Sequence, residues 1–184
     1  MNKKSFVVLG FAAALTSGVV FAAPVHNNNV TEEEVLAAQH AWGAALLQIS
    51  QDYAEGGLEK ATETATAVLD QAYGYAHGPV LFKPTLASGE KTFRITQEGA
   101  LAYFVGGNPE FTDSGFALKG WQEYDFENAA IYINGNMALT MGNVMLTNGD
   151  GEVTTVDKTW GFKKDDQGDL RIILHHSSLP FSAY

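Results

Sequence analysis

The chain has 184 residues, 46% of them hydrophobic and 17% charged, with 21 Asp and Glu against 11 Lys and Arg for a formal net charge of −10. That size and balance suit one compact domain with its own core, and the acidity argues against nucleic acid or an anionic membrane surface as a partner. Cysteine is absent, which excludes disulfides, thiolate metal ligands and thiol nucleophiles.

The chain begins with Lys3 and Lys4, an apolar run from Phe6 to Val20, and the small-residue end Val20-Phe21-Ala22. This pattern reads as a signal peptide over 1–22, cut before Ala23. A lasting membrane anchor fits less well, because Thr16, Ser17 and Gly18 interrupt the run and no basic cluster follows it. The expectation is an exported protein, periplasmic in a two-membrane bacterium and otherwise secreted. Its linker covers 23–30 and its single domain 31–184. Losing Lys3 and Lys4 takes the formal charge from −10 to −12.

Thr31 and Glu34 form a capping box, and the helix they open closes at Gly56-Gly57. Val35, Ala38, Trp42, Leu46, Ile49 and Tyr53 recur along it at helical spacing. A second helix runs from Leu58 to about Tyr75, with Ala61, Ala65, Val68, Leu69 and Ala72 as its apolar stripe. "PVLFKPTLASGEKTFRIT" reads as an edge-like strand and a loop, and "QEGALAYFVGG" as a short helix or turn carrying Tyr103. From Trp121 onward, turn signals at Asn134-Gly135, Asn148 to Gly151 and Asp165 to Gly168 separate four runs rich in Val, Ile, Thr, Trp and Phe. These predict a four-stranded antiparallel meander. Helices followed by a meander suggest an α+β cone, a bent sheet wrapped around a long N-terminal helix with a pocket at its open end.

The last strand, "RIILHHSSLPF", ends in groups that hold and pass protons. Strict alternation puts Ile172, Leu174, His176 and Ser178 on one face and Arg171, Ile173, His175 and Ser177 on the other. Ile172 and Leu174 are more core-like than Arg171, so the expected pocket residues are His176 and Ser178. His175 and Ser177 are expected on the convex face or at a subunit contact.

The blocks "VLFKPTLA", "GALAYFVGG", "GFALKGW", "MGN", "VDKTWGF" and "LRIILHHSSLPF", in order over a hundred residues, resemble the iota-class carbonic anhydrases. That family's domain is similar to the association domain of calcium/calmodulin-dependent protein kinase II. The resemblance implies a nuclear transport factor 2-like cone, a homodimer, and reversible hydration of carbon dioxide to bicarbonate and a proton. In the metal-free description of the family, the pocket residues fall on Thr85, Tyr103, His176 and Ser178.

Those residue types suit the reaction. Hydroxyls both donate and accept, so Thr, Tyr and Ser can orient water and carbon dioxide, and an imidazole can take the proton near neutral pH. No metal is expected. A zinc site usually wants three protein ligands, and His26, His40, His77, His175 and His176 are the only histidines. The family's block commonly reads His-His-His-Ser-Ser, whereas Leu174 stands first here, so the His-x-His pair is missing. A zinc or manganese site built from His176 with distant His40, His77 or carboxylates is the metal alternative. A non-enzymatic oligomerisation or ligand-binding module and an isomerase-like enzyme are the rivals on the same fold. The latter needs a carboxylate base inside the pocket, and none can be placed there. Asp157 and Lys158 read as part of a solvated or cross-strand charge pattern.

Overall fold

The computed structural model describes residues 27–183, so the expected signal segment 1–22 and the start of the linker lie outside the described residues. Helix α1 spans Glu32–Ala72, opened by the expected reciprocal box: the Glu34 amide donates to the Thr31 hydroxyl, and the Thr31 amide to the Glu34 carboxylate. It is two helical segments joined at Gly57, whose φ of 71° breaks the helix and favours glycine. The second segment folds back along the first. Thr64 donates to Asp52 at 2.6 Å and, further along, Trp42 to Tyr73 at 3.0 Å. A short turn over Gly74–His77 follows, and then strand β1, Leu81–Lys83.

Helix α2, Gln97–Val105, precedes the meander of β2 (Trp121–Asn134), β3 (Met137–Asn148), β4 (Val153–Lys164) and β5 (Leu170–Ser178). The sheet order is β1-β5-β4-β3-β2, with β1 parallel to β5 and the remaining pairs antiparallel. The concave face buries Ala138, Val144, Leu146, Val156, Trp160 and Phe162 against Val35, Trp42, Leu46, Ile49 and Leu69 of α1. Each large side chain so buried contributes roughly 1.5–3 kcal/mol of transfer free energy. This is the α+β cone.

One irregularity changes the reading of β5. Phe162 pairs with Ile172 and the next residue, Gly161, with Leu174, so Ile173 has no partner and forms a bulge. Alternation therefore slips by one place. Ile172 points inward, and beyond the bulge the inward residues are His175 and Ser177, only 2% and 1% exposed. Leu174, His176 and Ser178 share the outer face with Gly161, Thr159 and Asp157, their β4 partners. The expected placement of His176 and Ser178 on the concave side is thus corrected: an unpaired residue inverts the faces of everything after it.

Candidate active site

The inner face of β4 and β5 carries a polar group at each of two successive paired positions. Lys158 stands opposite Ser177, and Trp160 opposite His175. Lys158 is 4% exposed, far from the solvated pattern expected of it, because it continues the inward series Val156, Lys158, Trp160. Its Nζ lies 2.8 Å from His175 Nε2 and 4.3 Å from the centre of the Trp42 ring. On its other side, His175 Nδ1 is 2.8 Å from Tyr73 Oη, which accepts from Trp42 Nε1 at 3.0 Å. A continuous chain Trp42–Tyr73–His175–Lys158 thus crosses the core. Tyr73 joins it because the end of α1 is pinned to β5 by a bridge from Tyr73 to Ile172.

The imidazole is boxed by aromatic rings, with Phe82 stacked at 4.4 Å and Trp42 edge-on at 5.5 Å. Burial, reinforced by the electrostatic influence of neighbouring Lys158 and His176, holds His175 well below the usual imidazole range, so it is neutral. Burial alone pushes the Lys158 ammonium down to about 7. Burial raises Tyr73 well above the usual phenol range; the Trp42 bond opposes this, and the nearby Tyr75 and Tyr103 hydroxyls add to it.

Tyr103 and Thr85 reach the same region from the sheet edge. In the β1–β5 register Phe82 lies beside His175 and Lys83 beside His176, and the Lys83 ammonium, two residues before Thr85, donates to the Ser177 carbonyl at 3.0 Å. Tyr103, from α2, packs edge-on to Phe82 at 5.7 Å and is stacked on Phe116 at 5.4 Å. Its hydroxyl lies beside the Thr85 side chain and the Thr85 and Leu86 backbone, yet aligns with none of them well enough for a hydrogen bond. Burial, partly opposed by Thr85, raises its pKa above the usual phenol range, so it stays protonated. The Ser177 hydroxyl is likewise buried without a partner. Tyr103 also floors a cleft of about 140 Å³ lined by Arg94, Lys91, Lys119, Asp113 and Ser114. There one buried Arg94 nitrogen bridges both Asp113 carboxylate oxygens at 3.0 and 2.8 Å.

The structure therefore brings Thr85 and Tyr103 together, sets Tyr103 against Phe82, the ring stacked on His175, and leaves His176 exposed and Ser178 half-buried on the other face. Sequence reasoning missed Tyr73 and Lys158. For Lys158 the signal was present in Val156-x-Lys158-x-Trp160, a charge inside an apolar alternation. Among the described residues no three His, Asp or Glu side chains come together to hold a metal ion. The buried carboxylate Asp52 is tied to Lys60, Thr64 and Gln48 at the helix fold-back, not to this cluster.

Fold and site define an α+β cone whose interior holds hydroxyls, a neutral imidazole and an amine. A profile described as metal-independent carbonic anhydrase matches residues 33–179. The metal-independent carbonic anhydrase of Nostoc sp. (strain PCC 7120 / SAG 25.82 / UTEX 2576) is 51% identical, with 97% of each chain covered. The crystal structure of a cyanobacterial iota-carbonic anhydrase complexed with bicarbonate matches at a TM-score of 0.87 and 57% identity, covering 89% of this chain and 100% of that one. A putative calcium/calmodulin-dependent protein kinase II association domain from Xanthomonas campestris shares the fold, at a TM-score of 0.52 and 21% identity over 82% of this chain and 88% of that one. The chain belongs to the metal-independent carbonic anhydrase family.

Proposed function

We propose that this carbonic anhydrase interconverts carbon dioxide and bicarbonate on the inner face of the sheet, without a metal, using Thr85, Tyr103, Ser177 and His175. The observation that carries the reading is the pair of buried hydroxyls, Tyr103 and Ser177, that find no hydrogen-bond partner among the described residues. An unsatisfied buried polar group costs about 1–3 kcal/mol, which a bound water, carbon dioxide or bicarbonate would recover. In hydration the water oxygen forms a bond to carbon, one carbon–oxygen π pair moves onto oxygen, and the water loses a proton. A Tyr103 hydroxyl that stays protonated donates to the oxygen gaining charge, the role of an oxyanion hole. Thr85 and Ser177 donate and accept, which lets them orient water against the carbon. The cleft above Tyr103 sets Arg94, Lys91 and Lys119 against Asp113, a local positive excess in an acidic protein that favours an anionic product.

His176 and Ser178, the residues expected from the sequence, have no part in this reading. We further take the protein to be exported after cleavage near Ala23, on the strength of its N-terminal pattern. We take it to be a homodimer, in keeping with the exposed apolar side chains of Leu139, Met141 and Leu81 on the outer sheet face.

Chelator-treated protein, verified metal-free by elemental analysis, is expected to keep most of its hydration activity. Loss of activity that returns only with zinc or manganese would decide for the metal alternative. Hydration no faster than buffer, with or without metal, would decide for a binding module.

A further inference from the structure

We infer that Lys158 stores the proton that water loses in hydration and returns it in dehydration, acting through His175 and Tyr73 as a positioning and relay residue. The inference rests on the carbon dioxide reading above. A lysine in the core normally pairs with a carboxylate, because a lone buried ammonium is costly. Lys158 has none. Facing it are Trp42 from α1, Trp160 from its own strand, His175 and Ser177 from β5, and the glycine Gly142 from β3, with Tyr73 beyond His175. The nearest charges along its own and the neighbouring strand, Asp157 and His176, lie on the opposite face of the sheet. Among the described residues its one polar side-chain contact is a ring nitrogen at 2.8 Å, and the other nitrogen of that ring bonds to a tyrosine hydroxyl at 2.8 Å.

A neutral imidazole carries one N–H, so this chain has two self-consistent patterns. In the first, Tyr73 donates to Nδ1, and Nε2–H donates to an uncharged Lys158 amine. In the second, a Lys158 ammonium donates to Nε2, and Nδ1–H donates to Tyr73 Oη. Passing from one to the other moves one proton along the chain with no heavy-atom movement. A water proton bonds to Tyr73 Oη as the tyrosine's own proton passes to Nδ1 and the Nε2 proton passes to Nζ. The result is bicarbonate, an ammonium at Lys158 and the other imidazole tautomer, with no net change at Tyr73. Tyr73 and Tyr103 both pack on the Phe82 ring, at 6.4 and 5.7 Å between centroids, so one ring separates the relay from the Tyr103 side chain. An amine that titrates at about 7 exchanges its proton readily near neutral pH.

The same displacement has a signature in stability. Between about pH 7 and the ordinary lysine value of 10.5, the unfolded chain holds a proton on Lys158 that the folded chain does not. This group's contribution is therefore fully present above 10.5 and lost as pH falls through that range to about 7.

The test is a nuclear magnetic resonance titration of the intact protein with labelled lysine and histidine, run beside hydration kinetics. One lysine signal should titrate near pH 7 and vanish in Lys158→Met, and the His175 ring nitrogens should exchange tautomers at the same midpoint. Wild-type kcat should rise with pH through that midpoint. Lys158→Met should lower kcat at least tenfold, flatten its pH profile and leave KM for carbon dioxide within twofold. A Lys158 signal in the native protein that titrates above pH 9 would overturn the inference even if the variant fails to fold. So would a folded Lys158→Met with wild-type kcat and pH profile. Wild-type protein that hydrates no carbon dioxide would overturn the functional reading together with this one, which separates the two failures.

Discussion

Alanine at Ser177 or His175 is expected to lower carbon dioxide hydration about a hundredfold or more, while alanine at Ser178 or His176 leaves it within about twofold of wild type. The contrast follows from the bulge at Ile173, which turns the first pair into the core and the second pair out. Ser177→Ala is the cleaner member. Its hydroxyl has no hydrogen-bond partner among the described residues, so removing it should leave stability unchanged or slightly raised. Tyr103→Phe should behave alike, because its hydroxyl is also unpartnered. Activity lost while melting temperature is kept is the mark of a group whose partner is the substrate. His175→Ala differs, since it empties the space between Phe82, Trp42 and Tyr73 and should lower stability as well. Hydration assays and thermal melts on the four alanine variants and Tyr103→Phe check all of this. Wild-type activity in a folded Ser177→Ala would contradict it.

The second large effect concerns folding. Gly142 faces the core from β3, where a Cβ would overlap the Glu127 carbonyl oxygen and sit 2.8 Å from Asn128 Cα. Both are backbone atoms of β2 beside its own register shift at Asn128 and Ala130, so no rotamer change relieves the clash. Overpacking a core typically costs about 1–3 kcal/mol, and here the obstacle cannot rotate away, which places Gly142→Ala at or above about 3 kcal/mol. For a chain of this size that is a fall in melting temperature of roughly 6–12 °C. The control is Gly149→Ala, whose Cβ meets the far end of the Gln122 side chain at 3.0 Å and should shift the melt little. Equal melts for the two variants would show that the β2–β3 approach is looser than described.

Much of the architecture was legible because it depends on local rules. Thr31 and Glu34 announce the start of α1, a glycine pair breaks it at Gly57, and turn residues divide the meander at Gly135, Gly151 and Gly168, each with positive φ. What failed was a count. Period-two alternation holds only as far as Ile173, and that one unpaired residue puts His175 and Ser177 inside in place of His176 and Ser178. A bulge depends on the partner strand, here on Gly161, where a Cβ would sit 3.0 Å from that of Leu174, so the strand's own sequence does not disclose it. Thr85 and Tyr103 were named from blocks of sequence, but their meeting depends on β1 pairing parallel to β5, which no local pattern encodes. Lys158 is legible as a charge inside an apolar alternation, but the general rule that charged residues are solvated points the other way. Tyr73 had no sequence signal, because its role arises from where the end of α1 meets β5.

The central claim is that the reaction takes place on the inner face of the sheet, and a crystal structure of this protein soaked with bicarbonate tests it most directly. The expected result is bicarbonate within hydrogen-bond distance of the Tyr103 and Ser177 hydroxyls, in reach of the Tyr73–His175 chain. Bicarbonate held instead on the outer face by His176 and Ser178, with Tyr103 and Ser177 still unpartnered, would contradict it.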